Sequence, residues 1–173
     1  MNRRGWALLA LALLSACAAP VRQPGEAPWT TGRLSVRIDA TAQQTAQSMS
    51  AAFELRGNSD SGELRLNSPL GSRVAGARWA PGLAVMSNGD ADQRYDNLDE
   101  LSRRAFGEPL PLAALPDWLA GKPWPGAPHE KSDSGFDQLG WQVSLARRSE
   151  GWIEARRSAA PVVLVRVKLD DPS

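Results

Sequence analysis

One cysteine and one histidine are all that this chain of 173 residues contains. With Cys17 as the single thiol, no disulfide can form within the molecule. With His129 as the single imidazole, metal sites and acid–base schemes built from several histidines have no material. Neither sign of charge is in surplus, since 20 Lys and Arg stand against 19 Asp and Glu. The basic excess of a nucleic-acid binder is therefore missing. No Gly-rich phosphate loop, HExxH or GxSxG occurs. What chemistry remains open is carboxylate-only, and no compact set of acids stands out for it. The reading is of a chain that is not an enzyme and that holds neither cofactor nor metal.

Nor is there an apolar run near the twenty residues that a membrane-crossing helix needs. The longest, from Trp6 to Leu14, follows Arg3 and Arg4 and has the length of an export segment. Leu14-Ser15-Ala16-Cys17 comes next, the lipobox pattern of bacterial lipoproteins. Small residues admit the peptidase there, and the thiol takes the lipid. Residues 1–16 are thus expected to be removed and Cys17 to be acylated, which also disposes of a lone thiol in an oxidising compartment. Removing Arg3 and Arg4 leaves 18 basic residues against 19 acidic ones.

Pro20, Pro24, Gly25 and Pro28 deny the segment 17–28 regular hydrogen bonding, so it reads as a tether that spans about 30 Å at roughly 3.1 Å per residue. The remainder, 29–173, is the right size for one domain. Period-two alternation dominates it: Leu34, Val36 and Ile38 against Arg33, Ser35 and Arg37, then Ala51, Phe53 and Leu55, Leu64 and Leu66, Trp141, Val143 and Leu145, and finally Val163, Val165, Val167 and Leu169. Such strands belong to antiparallel sheets with one wet face. Turns at Gly57-Asn58-Ser59-Asp60, Ala80-Pro81-Gly82, Asn88-Gly89-Asp90 and Ser149-Glu150-Gly151 make them hairpins.

Helical spacing appears only in the middle. Leu98, Leu101 and Ala105 recur between Asp96 and Gly107, and a second piece is expected from Leu112 to Ala120, kinked or split by Pro116. Lys122 to Gly135, which includes His129, reads as a loop. The order predicts a mainly β fold with α: one curved antiparallel sheet, an incomplete β-barrel, covered by a helical lid. Six tryptophans beyond the export segment, Trp29, Trp79, Trp118, Trp124, Trp141 and Trp152, fit either core packing or the lining of an apolar pocket. The arginine pairs Arg103-Arg104, Arg147-Arg148 and Arg156-Arg157 are expected on solvated faces.

Several stretches resemble one family. Gly32-Arg33-Leu34-Ser35-Val36, Leu64-Arg65-Leu66-Asn67-Ser68-Pro69-Leu70-Gly71-Ser72, Gly107-Glu108-Pro109-Leu110-Pro111-Leu112 with Leu115 and Trp118-Leu119-Ala120-Gly121, and Phe136-Asp137-Gln138-Leu139-Gly140-Trp141 run in the order of the outer-membrane lipoprotein receptor family LolB. Pro116 and the polar strip from Ala40 to Ala52, whose strand ends the pattern does not fix, depart from it. The resemblance implies an acyl-chain cavity, for which Leu34, Val36, Phe53, Leu64, Leu66, Trp118, Trp141, Val143 and Val165 are the candidates. It implies that Leu70, in the turn Pro69-Leu70-Gly71, dips into lipid; the residues alone favour a leucine that caps the core. It implies as partners a LolA-type periplasmic carrier, lipoprotein cargo and outer-membrane lipid, with no nucleic acid. Ala18 is not the aspartate that retains many lipoproteins at the inner membrane, so the expected location is the periplasmic face of the outer membrane. A lipid-binding module without transfer, and a hydrolase acting through carboxylates, remain as rivals because related half-barrels serve several ends.

Overall fold

The computed structural model describes residues 27–89 and 91–171. Cys17, the export segment, most of the tether and Asp90 lie outside the described residues. Six strands come first: β1 (Thr30–Ile38), β2 (Gln47–Gly57), β3 (Gly62–Asn67), β4 (Arg73–Ala80), β5 (Leu83–Ser87) and β6 (Asp92–Tyr95). Two helices follow, α1 (Leu98–Phe106) and α2 (Leu115–Leu119). The last five strands are β7 (His129–Ser132), β8 (Gly135–Gln138), β9 (Trp141–Ser144), β10 (Trp152–Arg157) and β11 (Val163–Leu169).

All eleven join in one sheet, in the order β6-β5-β4-β3-β2-β1-β11-β10-β9-β8-β7. Every pairing is antiparallel. Each half of the chain is a meander, and the halves meet where β1 pairs with β11. Among the described residues β6 and β7 end the sheet without pairing to each other, so the barrel is open. The chain between those two edges is the helical segment.

The alternation read in the sequence sets one face of this sheet. Val36 and Ile38 of β1 face the same side as Val165 and Val163 opposite them on β11, and Phe53 and Leu66 pair across β2 and β3. These side chains are buried or half-buried, whereas Arg33 and Arg37 are exposed. Gly32 is part of the fit. A methyl group there would stand 2.2 Å from the Lys168 carbonyl oxygen and 2.9 Å from Cε1 of Phe53.

α1 matches its expected ends: the Asn97 side chain caps the Glu100 N–H, and Gly107 closes it at φ 75°. Its buried stripe is Leu98, Leu101 and Ser102, however, and Ala105 is exposed. In a helix Ser102 is the i+4 neighbour of Leu98 and takes that face, where its hydroxyl accepts the Leu110 N–H at 3.0 Å. α2 is shorter than expected and is not kinked. Pro116 lies in its first turn, where a missing N–H costs nothing. The expected loop from Lys122 to Gly135 also holds a strand. His129 lies exposed in β7, an edge strand of four residues with polar groups on both sides, so no alternation marks it.

On the outer face the domain's entry point is pinned. The Trp29 ring lies 4.5 Å from the Arg56 guanidinium and 4.2 Å from that of Arg65. Glu63 holds both cations at 2.7 Å. Burial disfavours the charge on Glu63, but the hydrogen bonds from Arg65 and Arg56 outweigh it and hold the carboxyl below its ordinary 4.5.

Two outcomes follow. Gly32→Ala should lower stability by about 1–3 kcal/mol, read as a fall in the thermal midpoint, because the methyl meets backbone that cannot move aside; an unchanged midpoint would refute the tight fit. A carboxyl whose folded pKa is depressed stabilises above its ordinary value and loses that contribution as pH falls through the folded one. Acid titration of the thermal midpoint should therefore show a loss beginning near pH 4.5 that Glu63→Gln diminishes. Identical acid profiles for the two proteins would contradict that assignment.

Candidate functional site

The inner face of the sheet and the helical segment bound an apolar pocket of about 70 Å³. Its lining comes from β1, β2 and β3, from β9, β10 and β11, and from α1, α2 and the connector between them. Strands five places apart in the sheet converge on one space only if the sheet bends round it. Eighteen residues line it and none is charged or polar.

Eight of the nine candidates from the sequence line this pocket: Leu34, Val36, Phe53, Leu64, Leu66, Trp118, Trp141 and Val165. Val143 does not. It has no exposed surface and sits between its cross-strand neighbours Phe136 and Ala155. The pocket also takes in Met49, Ile153, Ala155 and Val167 from the sheet. Val167 is in an alternation already visible in the sequence, and Ile153 and Ala155 follow the same period. Phe106, Leu110, Pro111, Leu112, Leu115 and Leu119 come from the helical segment. Leu110 to Leu112 carries no period because it belongs to a connector.

Aromatic rings form one wall. Trp118 meets Phe136 edge-on, with ring centroids 6.3 Å apart, and Trp141 at the same distance. Gln138, buried on β8, fastens this wall. Its Oε1 accepts the Trp118 indole N–H at 2.8 Å and the Trp124 backbone N–H at 2.9 Å, and its Nε2 donates to the carbonyls of Trp124 and Ala127. A side-chain amide has two donors and one acceptor atom, and here all are used. Sequence reasoning missed Gln138, since a lone polar residue in a strand alternation gives no sign of facing inward.

Arg157 was expected on a solvated face and points inward instead, because it shares the side of Ile153 and Ala155 on β10. Its guanidinium lies 5.7 Å from the Trp141 ring and donates to Glu108 at 2.9 Å and to the Pro161 carbonyl at 3.1 Å. Glu108 begins the connector that carries Leu110, Pro111 and Leu112. Two polar attachments, Gln138 and Arg157, therefore tie the helical segment to the sheet.

Leu70 stands apart from the pocket and is 94% exposed. Ser68 accepts the Gly71 N–H at 2.9 Å, which closes a turn with Pro69 and Leu70 at its centre, and Gly71 takes φ 83°. Proline at the first central position and glycine at a left-handed one suit that turn. The side chain does not cap the core.

The molecule is an open, incomplete β-barrel whose interior is apolar and whose two edges are bridged by helices. The model of the family described as outer membrane lipoprotein LolB matches residues 29–160. The outer-membrane lipoprotein LolB of Cupriavidus pinatubonensis is 35% identical over 164 residues, which cover 88% of this chain and 76% of its own. That of Bordetella petrii is 32% identical over 157 residues (83% and 78%), and that of Chromobacterium violaceum is 32% identical over 154 (83% and 82%). The chain belongs to the LolB family.

Replacing Gln138 by leucine would strand the Trp118 indole N–H, the Trp124 backbone N–H and the Ala127 carbonyl without partners, while the Trp124 carbonyl would keep the Ala127 N–H. Each buried unsatisfied group costs about 1–3 kcal/mol. Gln138→Leu should therefore lower stability by at least about 3 kcal/mol in denaturant titration, and a loss under about 1 kcal/mol would show that the network does not hold the wall.

Proposed function

We propose that this chain is a lipid-anchored protein of the outer membrane's periplasmic face that accepts lipoproteins from a LolA-type carrier and inserts their acyl chains into the inner leaflet. Residues 1–16 are removed, Cys17 carries the lipid, 17–28 form the tether, and 29–173 form the working domain. The observation that carries this reading is the pocket lining, eighteen residues without one polar side chain. Family membership supports the same role, and no bond is made or broken in it.

The physical demand is simple. An exposed methylene costs about 0.8 kcal/mol in water, so a lipoprotein crosses the periplasm only with its chains sheltered. Passage from one apolar cavity to another needs no nucleotide if the second holds the chains better, each 1.4 kcal/mol being a factor of ten.

A pocket of about 70 Å³ has to widen to admit several whole acyl chains. The sheet is a continuous hydrogen-bonded ladder, whereas the helical segment is tied to it by a few side-chain bonds. The helical segment acts as the lid and gives way as acyl chains enter. Leu70 then serves the last step, as the apolar tip that reaches the leaflet while the sheet stays above it.

The test is transfer of labelled lipoprotein from carrier to liposomes. Leu70→Glu should leave folding and acceptance from the carrier intact and slow membrane insertion by about tenfold or more, since a carboxylate in the bilayer costs a few kcal/mol. Unchanged insertion would refute the role of Leu70. Displacement of a hydrophobic fluorophore by an acylated peptide, with no acceptance from the carrier, would point to a lipid-binding module in place of a transfer protein.

A further inference from the structure

The outer face of the sheet has a groove of about 630 Å³ beside the Leu70 turn, with Ser68, Pro69 and Gly71 along one side. Its floor is small: Ser35 of β1 with Ser50 and Ala52 of β2. Around it stand Arg33, Lys168 and Arg166. Arg33 and Lys168 are direct cross-strand partners, and Arg166 is the partner of Ser35, the next residue on that face.

Like charges directly opposite on a sheet are destabilising, so this pairing weakens the domain unless something else answers it. Within the groove nothing does, and only the Glu150 carboxylate outside it acts on Lys168 through its charge. No carboxylate lines it. Arg166 is turned to Glu154 at 2.8 Å, and Lys168 donates to the Glu150 carbonyl. The exposed Arg33 makes no ion pair among the described residues. The cluster is local, because basic and acidic residues are nearly equal in number along the chain. On the opposite side from the turn lies Trp152, half-buried, an amphipathic ring of the kind enriched at membrane interfaces.

We propose that this groove binds the phosphate of an anionic membrane phospholipid, with Arg33 and Lys168 as its principal cations and Arg166 at its rim. The proposal rests on the reading that the Leu70 turn meets the bilayer. A turn whose tip enters the acyl layer brings its flanks, Ser68 and Gly71, to headgroup depth, where the phosphates lie. The cations then hold the domain in the orientation in which the tip points into the leaflet.

The experiment measures vesicle co-sedimentation of the chain from residue 17 onward with Cys17→Ala, which keeps every described residue and so the whole of the described core. Vesicles are phosphatidylcholine alone or phosphatidylcholine with phosphatidylglycerol. Attraction of about 1 kcal/mol from each of the two principal cations predicts about thirtyfold tighter binding to the anionic vesicles. The double variant Arg33→Gln/Lys168→Gln should lose most of that gain while keeping its binding to neutral vesicles. Its near-ultraviolet circular dichroism should be unchanged, since neither side chain is in the core. Arg103→Gln/Arg104→Gln, which removes the same charge from α1, should keep the gain.

The proposal is overturned if phosphatidylglycerol gives no gain, if the groove variant keeps it, or if the α1 variant loses as much. It is also overturned if the groove variant keeps vesicle binding but loses association with an acidic carrier protein, which would assign the surface to a protein partner. Leu70→Glu separates the two readings. Loss of neutral-vesicle binding in that variant, with the anionic gain surviving in the groove variant, would sink the groove and leave the turn's role standing.

Discussion

The ladder between β1 and β11 is the contact on which the rest of the molecule depends. It joins the first strand of one meander to the last strand of the other, more than a hundred residues apart in sequence. Its register sets Leu34, Val36 and Ile38 beside Val167, Val165 and Val163, so that the apolar faces of both halves look to one side. A slip by one residue would turn one half's apolar set to solvent and bring charge into the interior. Gly32 stands near one end of that ladder, where the absence of a side chain lets Phe53 lie against the backbone of β11.

From that register the two edges follow. Eleven strands in two meanders leave β6 and β7 as ends, and the residues between them have to cross from one edge to the other. They cross on the apolar side, α1 packing on β5 and β6 and α2 on β2. The helical segment is thus held by its own apolar side chains and by few polar attachments. Arg157 with Glu108 is nearly buried, and such a pair adds little net stability when formed although losing one partner is costly. It favours one seating of the connector over others. A wall fixed in place by side chains can move without breaking a strand ladder, which is what a pocket smaller than its proposed cargo requires.

What the sequence made legible was whatever a strict period carries. The alternation from Leu34 to Ile38 and from Val163 to Leu169 gave the face, the two central strands and four of the eighteen residues of the pocket. The caps of α1 were plain in Asn97 and Gly107. Illegible were residues whose place depends on a neighbour distant in sequence. Val143 obeys the alternation and still misses the pocket, being wholly buried between Phe136 and Ala155 across the ladder. Ala105 has the right spacing and the wrong face, because the Leu110 N–H draws Ser102 inward. Pro116 reads as a kink until its position in the first turn is known. Arg157 resembles any surface arginine until the parity of β10 is fixed by β11.

The position of Trp29 bears on how such a domain meets a membrane. Thr30 pairs with Leu55, which pairs with Leu64, whereas the Leu70 turn begins beyond Asn67. The clamped ring and the exposed leucine therefore lie toward opposite ends of β3, some four residues or about 13 Å apart along the strand before the turn itself is added. A chain anchored through Cys17 as proposed has to cover that offset in order to let Leu70 reach the same leaflet as its own lipid. The segment from Cys17 to Pro28, at about 3.1 Å per residue, is long enough to do so with length to spare. In the proposed arrangement its length would serve less to hold the domain away from the headgroups than to let the far end of the sheet turn down onto them. The cationic groove lies on that same wall, between the anchored end and the tip, where an anionic surface would draw the domain over.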